Sequence, residues 1–187
     1  EAKWACTGNQ LTSLELIQSA SENHPTLRSH RLEVGFIYDG KNSSVVKKTK
    51  SALIKGASTK VDVSQIPCPK AIHPNFNDHA YIKVRLDESS LKYLSENIHQ
   101  LKDPVLRQMV WYTFWDRVKD SEESIFNYAE LAISKGLPVE KNDVILNQLL
   151  STVVSRYGTG GMLDYFSQPA LKDLPKTSQL ISRLQDV

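Results

Sequence analysis

The apolar positions of this chain change period once, near residue 87, and that change organises everything else. From Ala80 to Leu86 the residues Ile82, Val84 and Leu86 alternate with Tyr81, Lys83 and Arg85, the two-residue period of a half-buried strand. Before it, Thr12 to Ser19 fits a strand, and Asn23-His24-Pro25 ends it. Arg28 to Tyr38 predicts the clearest strand, with Leu32, Val34, Phe36 and Tyr38 on its buried face and Arg31, Glu33 and Gly35 opposite. Asp39-Gly40 predicts a hairpin turn, Val45 to Ile54 the returning strand, and Lys55-Gly56 a second turn into Thr59 to Val63. Pro67 and Pro69 exclude regular strand around them, and Glu1 to Leu11 reads as irregular. Several short strands joined by polar turns predict an antiparallel β-sandwich.

After Asp87 the period becomes helical. Asp87, Ser89 and Ser90 supply cap chemistry, and Leu91, Leu94 and Ile98 recur at helical spacing. Asp103-Pro104 opens a second helix, with the proline where its missing N–H costs nothing. That helix carries Trp111 and Trp115 one turn apart, with Tyr112 and Phe114 partly on other sides, so it is apolar nearly all round and fits a position between layers. Asp120 to Glu123 reads as a capping-box variant starting a third helix, which Gly136 and Pro138 end. Asn142 caps a fourth running toward Gly158; Gly160-Gly161 is a loop, Met162 to Phe166 a helical turn, and Pro175 opens a last helix. The expected fold class is therefore α+β in two modules. A β-sandwich over 1–87 precedes an array of α-helical hairpins, solenoid-like and incomplete, over 88–187.

Composition narrows the function classes. In 187 residues, 40% hydrophobic and 24% charged content is that of a globular protein, and a net charge of +2 leaves no electrostatic footprint for nucleic acid. No apolar run approaches the roughly 20 residues needed to cross a bilayer. No signal-peptide pattern opens the sequence, which favours a cytoplasmic location. The chain begins at Glu1 instead of Met, as a fragment or processed product would. Cys6 and Cys68 are expected as free thiols, a single bridge being the alternative. The sequon Asn42-Ser43-Ser44 falls in a predicted turn and is read as unused.

Candidate chemistry is sparse. The histidines are His24, His30, His73, His79 and His99, and no two have the H-E-x-x-H spacing of a zinc peptidase. All five read as surface or structural residues, and Cys68 near His73 and His79 is a weak metal signal. No G-x-S-x-G, Walker A or G-x-G-x-x-G occurs; Gly158 to Gly161 follows a helix instead of leading into one. Lys47, Lys48 and Lys50 read as charges guarding a sheet edge. Trp111 and Trp115 read as packing between helices.

Tyr81-Ile-Lys-Val-Arg-Leu-Asp87, preceded by Asn75, and Leu106 to Asp120 with W-x-x-x-W-D at Trp111, Trp115 and Asp116 resemble the C-terminal portion of the M1 family of zinc aminopeptidases. Pro25 to Leu32 with Val34-Gly-Phe36 resembles that family's β-sandwich domain, in its bacterial aminopeptidase N branch. The likeness runs to about Leu150 and fades beyond. It implies the family's last two domains, a small β-sandwich and the start of a large α-helical domain that closes over the active site. The zinc motif and the G-x-M-E-N motif belong to a catalytic domain that this chain lacks. No catalytic or metal residue is therefore assigned, no cofactor is expected in the chain itself, and zinc is expected in the parent enzyme, a metallohydrolase.

The resemblance implies a non-catalytic C-terminal portion that connects and covers the peptide cavity of a zinc metalloaminopeptidase. Its partners would be the catalytic domain of the same parent and that parent's peptide substrates, with no nucleic acid or membrane. Tyr81, Lys83, Arg85, Asp87, Trp111, Trp115 and Asp116 are the candidates for interdomain contact or packing. No activity is expected from the chain alone. The alternative is a free-standing module that binds a protein or peptide without enzymatic activity.

Overall fold

The computed structural model describes residues 1–41, 44–153, 162, 166–168 and 175–186. Among them lie two three-stranded antiparallel sheets followed by five α-helices, a mixed β and α architecture. The strands are β1 (Ala2–Thr7), β2 (Gln10–Ile17), β3 (His30–Asp39), β4 (Ser44–Ile54), β5 (Ser58–Lys60) and β6 (Ala71–His73). One sheet has the order β1-β2-β5 and the other β4-β3-β6.

The Asp39-Gly40 hairpin forms as expected, with Asp39 opposite Ser44 and the ladder running to His30 opposite Ile54. β4 is an edge strand, and two of its lysines, Lys48 and Lys50, are tethered. Lys48 donates to the Gln65 carbonyl at 2.7 Å, and Lys50 pairs with Asp62 at 3.1 Å. The expected buried face of β3 is buried: Leu32, Val34 and Phe36 are at most 2% exposed, with Tyr38 close behind. From Gly35 onward the opposite face is covered too, since Ile37 is fully buried. Gly35 has a specific cause. A Cβ there would stand 2.9 Å from Cγ of Phe76, closer than two carbon atoms tolerate. Leu11, Leu14 and Leu16 of β2 join Leu32, Val34 and Phe36 of β3 and Ile72 of β6 in one apolar cluster, so both sheets contribute to a single core.

Four expectations are corrected. Residues 1–11 are not irregular: β1 pairs with β2 from Ala2 opposite Leu16 to Thr7 opposite Gln10, around Gly8 at φ +57°. Gly8-Asn9 between two alternating runs was the signal for that hairpin. Ala80 to Leu86 is not a strand, because it joins no ladder. Its alternation survives as alternating exposure ending in buried Leu86, since the pattern specifies an extended backbone with one covered face and not a pairing partner. The third helix is capped by Ser124, whose Oγ accepts from the Phe126 N–H, and not by Asp120, where the backbone still bonds back to Asp116. Finally, Cys6 and Cys68 are joined, with Cα atoms 5.8 Å apart. The bridge fastens β1 to the segment leading into β6 and leaves no free cysteine.

The helices are α1 (Glu88–Asn97), α2 (Pro104–Lys119), α3 (Ile125–Leu131), α4 (Asp143–Val153) and α5 (Pro175–Gln185). Asp87 caps α1, Asp103 accepts from the Val105 and Leu106 N–H groups, and Asn142 accepts from Val144 and Ile145, as their positions predicted. α3 passes into a wider turn over Ala132–Gly136, where the Leu137 N–H reaches back five residues to the Ala132 carbonyl. Phe126 stacks at a tilt on Phe166, ring centres 4.4 Å apart. The sequon residues 42 and 43, the end of the fourth helix beyond 153, the glycine loop at 158–161 and residues 163–165 lie outside the described residues. The chain divides into two compact units, Glu1–Thr113 and Phe114–Val187, with the division falling inside α2.

Candidate functional site: the junction ahead of the first helix

The first unit is built around the approach to α1. Asn75 is fully buried, and its side chain knots the turn that precedes the extended segment. Its Nδ2 donates to the Ala80 carbonyl at 2.8 Å and to Asp78 Oδ1 at 3.1 Å, and its Oδ1 accepts from the Ala80 N–H at 3.2 Å. These bonds hold Asn77 and Asp78 at positive φ, 62° and 52°, which Asn and Asp tolerate better than other side chains. The turn offers Asn77 and His79 to Glu33 of β3, at 3.0 and 3.3 Å from Oε2. Hydrogen bonding, first from Thr49 and then from Asn77 and His79, outweighs burial and holds the Glu33 carboxyl below its usual range.

Asp87 closes the other end of the segment. Its Oδ1 accepts the Ser90 N–H at 3.0 Å and its Oδ2 accepts the Trp4 indole N–H at 3.0 Å. Burial is the largest influence on this carboxyl and pushes it up, but bonds from Ser89, Ser90 and Trp4 together hold it below the ordinary value. Ser90 is itself buried and accepts the Ile72 N–H at 2.9 Å, so the first turn of α1 is stitched to β6. Tyr93, farther along α1, donates to Asp39 at 2.7 Å and meets Ser44 Oγ at 2.8 Å. Burial first, and then the Asp39 carboxylate, push this phenol up to about 12, so it serves as a donor and not as a base.

The candidate residues separate accordingly. Tyr81, Lys83 and Arg85 lie on the exposed side of the extended segment, with Tyr81 wholly uncovered at 105% relative exposure. Asp87 is the cap described above. Trp111 is buried in α2, whereas Trp115 is partly exposed and sits 5.1 Å, ring centre to ring centre, from Tyr128. Asp116 pairs with Lys119 at 2.6 Å along the helix. The sequence singled out Ser90 as cap chemistry and Asn75 in the resemblance, but not the bonds that Trp4, Asn75 and Ser90 make. Each makes its bond far along the chain or within an irregular turn, which no short-range period encodes.

The histidines are scattered. His73 of β6 is fully buried with both ring nitrogens lacking a hydrogen-bond partner, and burial lowers its pKa to about 4. A ring that stays neutral in an apolar setting is a packed side chain, not a proton shuttle. Among the described residues, no group of three or more His, Cys, Asp or Glu is placed to hold a metal ion. A cleft of about 640 Å³ runs beside β2, lined among others by Lys3, Trp4, Thr12, Glu15, Lys60 and Asp62. Asp62 is drawn down to about 2 by hydrogen bonds from Ser64 and then Lys50. No His or Cys lines this cleft. None of the described helices is long and apolar enough to cross a membrane.

The chain is similar to Aminopeptidase N of Streptomyces lividans, 28% identical over 129 residues, 63% of its length. It spans about 14% of that relative's length. No family model matches the chain.

Proposed function

We propose that this chain is a non-catalytic C-terminal portion of an M1-like zinc aminopeptidase, comprising a β-sandwich over 1–87 and the start of an α-helical domain over 88–187. The observation that carries the reading is the 28% identity to Aminopeptidase N, confined to 14% of that protein. A strand-rich half followed by a helical half, with one core shared by both sheets, supports it. In this reading the chain connects and covers the peptide cavity of a catalytic domain on the same parent protein. Asn75, Asp87 and Trp4 then hold the passage between the β and α parts at a fixed geometry. The parent removes N-terminal residues from peptides, and zinc belongs to its catalytic domain.

The cytoplasmic location favoured by the sequence is in tension with the Cys6–Cys68 bridge, because such bridges persist in oxidising compartments. Alkylating the native protein before and after reduction decides between them.

The test is the encoded reading frame together with the activity of the purified chain. A frame that runs upstream through an H-E-x-x-H segment, and a chain that leaves aminoacyl reporter substrates intact with zinc added, are the expected results. Zinc-dependent cleavage by the purified chain, or a frame beginning near Glu1, overturns the proposal. The latter outcome would leave a free-standing protein- or peptide-binding module as the reading to pursue.

A further inference from the structure

Asp39 and Gly40 stand together where β3 ends, and the pair carries a chemistry of its own. A glycine that follows an aspartate offers its carboxyl the least hindered backbone nitrogen, because no Cβ stands in the way. The Asp39 side chain is 61% exposed, so water reaches it. Two groups hold its carboxylate. Tyr93 of α1 donates to Oδ1 at 2.7 Å, and the Lys70 ammonium stands 3.5 Å from Oδ2. The Tyr93 hydroxyl is itself fixed, since it also meets Oγ of buried Ser44 at 2.8 Å, and Ser44 lies opposite Asp39 in the ladder. A carboxyl carbon that turns toward the Gly40 nitrogen must break both contacts. The bond from Tyr93 to a charged acceptor is the stronger restraint, and the exposed ion pair with Lys70 the weaker.

We propose that Asp39-Gly40 is a self-modification site that converts to isoaspartate, and that Tyr93, supported by Lys70, sets its rate by holding the carboxyl away from the Gly40 nitrogen. In the first step a bond forms between the Gly40 nitrogen and Cγ of the protonated Asp39 carboxyl. The side-chain hydroxyl leaves with the amide proton as water, and a cyclic imide remains. Water then adds back at one of the two imide carbonyls. Opening at Cγ restores aspartate, whereas opening at the main-chain carbonyl routes the backbone through the side chain as isoaspartate. The two steps lose and regain one water and need no cofactor. Isoaspartate lengthens the backbone by one methylene at the residue that pairs with Ser44, so the β3–β4 hairpin loses its closing pair. The inference does not depend on the aminopeptidase reading.

The test ages the full chain beside a capped synthetic peptide of residues 36–41 at pH 7, with isoaspartate at residue 39 read by fragment mass spectrometry. Wild type should form it about tenfold more slowly than the peptide, and Y93F should approach the peptide rate. K70M should rise by about twofold, as befits an exposed ion pair. S44A takes away the other partner of the Tyr93 hydroxyl but leaves its bond to Asp39, and should stay at the wild-type rate. Wild type as fast as the peptide, or folded Y93F no faster than wild type, overturns the proposal. A rise in S44A equal to that in Y93F overturns it too, by assigning the effect to a loosened hairpin. If Y93F does not fold, K70M decides alone. Its side chain is more than half exposed, and an unchanged rate there overturns the proposal.

Discussion

The Trp4 indole N–H and the Asp87 carboxylate meet at 3.0 Å across 83 residues of sequence, tying the first strand to the cap of the first helix. Asp87→Ala removes the α1 cap and leaves the indole without this acceptor, so it should destabilise the protein by about 1–2 kcal/mol in urea denaturation at pH 7. Asp87→Asn keeps a capping oxygen and should lose less than half of that. The folded state favours the ionised carboxyl. Its contribution is therefore complete above the ordinary Asp range and disappears as pH falls through the depressed value. The gap between wild type and Asp87→Asn should narrow as pH falls below the ordinary Asp range.

His73 acts in a higher pH window and with the same sense. Its folded-state pKa is lowered from 6.5 to about 4, so the unfolded chain takes up its proton first as pH falls. Stability should decline between about pH 6.5 and pH 4, by up to roughly 3 kcal/mol at 1.36 kcal/mol per pH unit. His73→Phe removes the titrating group, and its denaturation midpoint should be nearly flat across that window. An equally steep decline in the variant would assign the slope to other groups.

Gly35→Ala should cost about 1–3 kcal/mol, because the new methyl meets the Phe76 ring at 2.9 Å. Phe76→Leu carries its own cost in lost packing, but in that background the added methyl should cost far less. A double-mutant cycle reads the coupling directly, and strict additivity of the two changes would disprove the steric account.

Replacing Cys6 and Cys68 together with Ser should destabilise the chain by about 4 kcal/mol, the loop-closure value for a sequence separation of 62. Wild type in excess reductant should match the double variant. If reductant leaves the wild-type midpoint unchanged while the bridge is shown to be open, the staple contributes little.

The legible parts of the fold were those encoded within one turn or one period. Asp87, Asp103 and Asn142 announced their helices because a cap is chosen by residues two or three positions away. The β3–β4 hairpin followed from Asp39-Gly40 and the alternation around it. What could not be read depends on distant partners. Residues 80–86 carry a strand pattern with no ladder, and Cys6 and Cys68 pair across a sequence separation of 62 because β1 carries Cys6 to the segment leading into β6. The third helix started four residues late because Ser124, not Asp120, had free N–H groups to cap. The candidate site was visible as a stretch around Tyr81 to Asp87. The bonds that pin it, from Asn75 to Ala80 and from Trp4 to Asp87, were not.

The Cys6–Cys68 bridge also changes what damage to this protein looks like. Residues 19–29, between β2 and β3, are exposed throughout and lie inside the covalent ring that the two sulfurs close. A protease cutting there opens the ring without releasing a piece. The nicked molecule would migrate as intact chain under non-reducing conditions and fall into two fragments once thiol is added. It would also keep the first two strands beside the rest of the core while broken, so a sample judged only by its unreduced size could hide a population already cleaved.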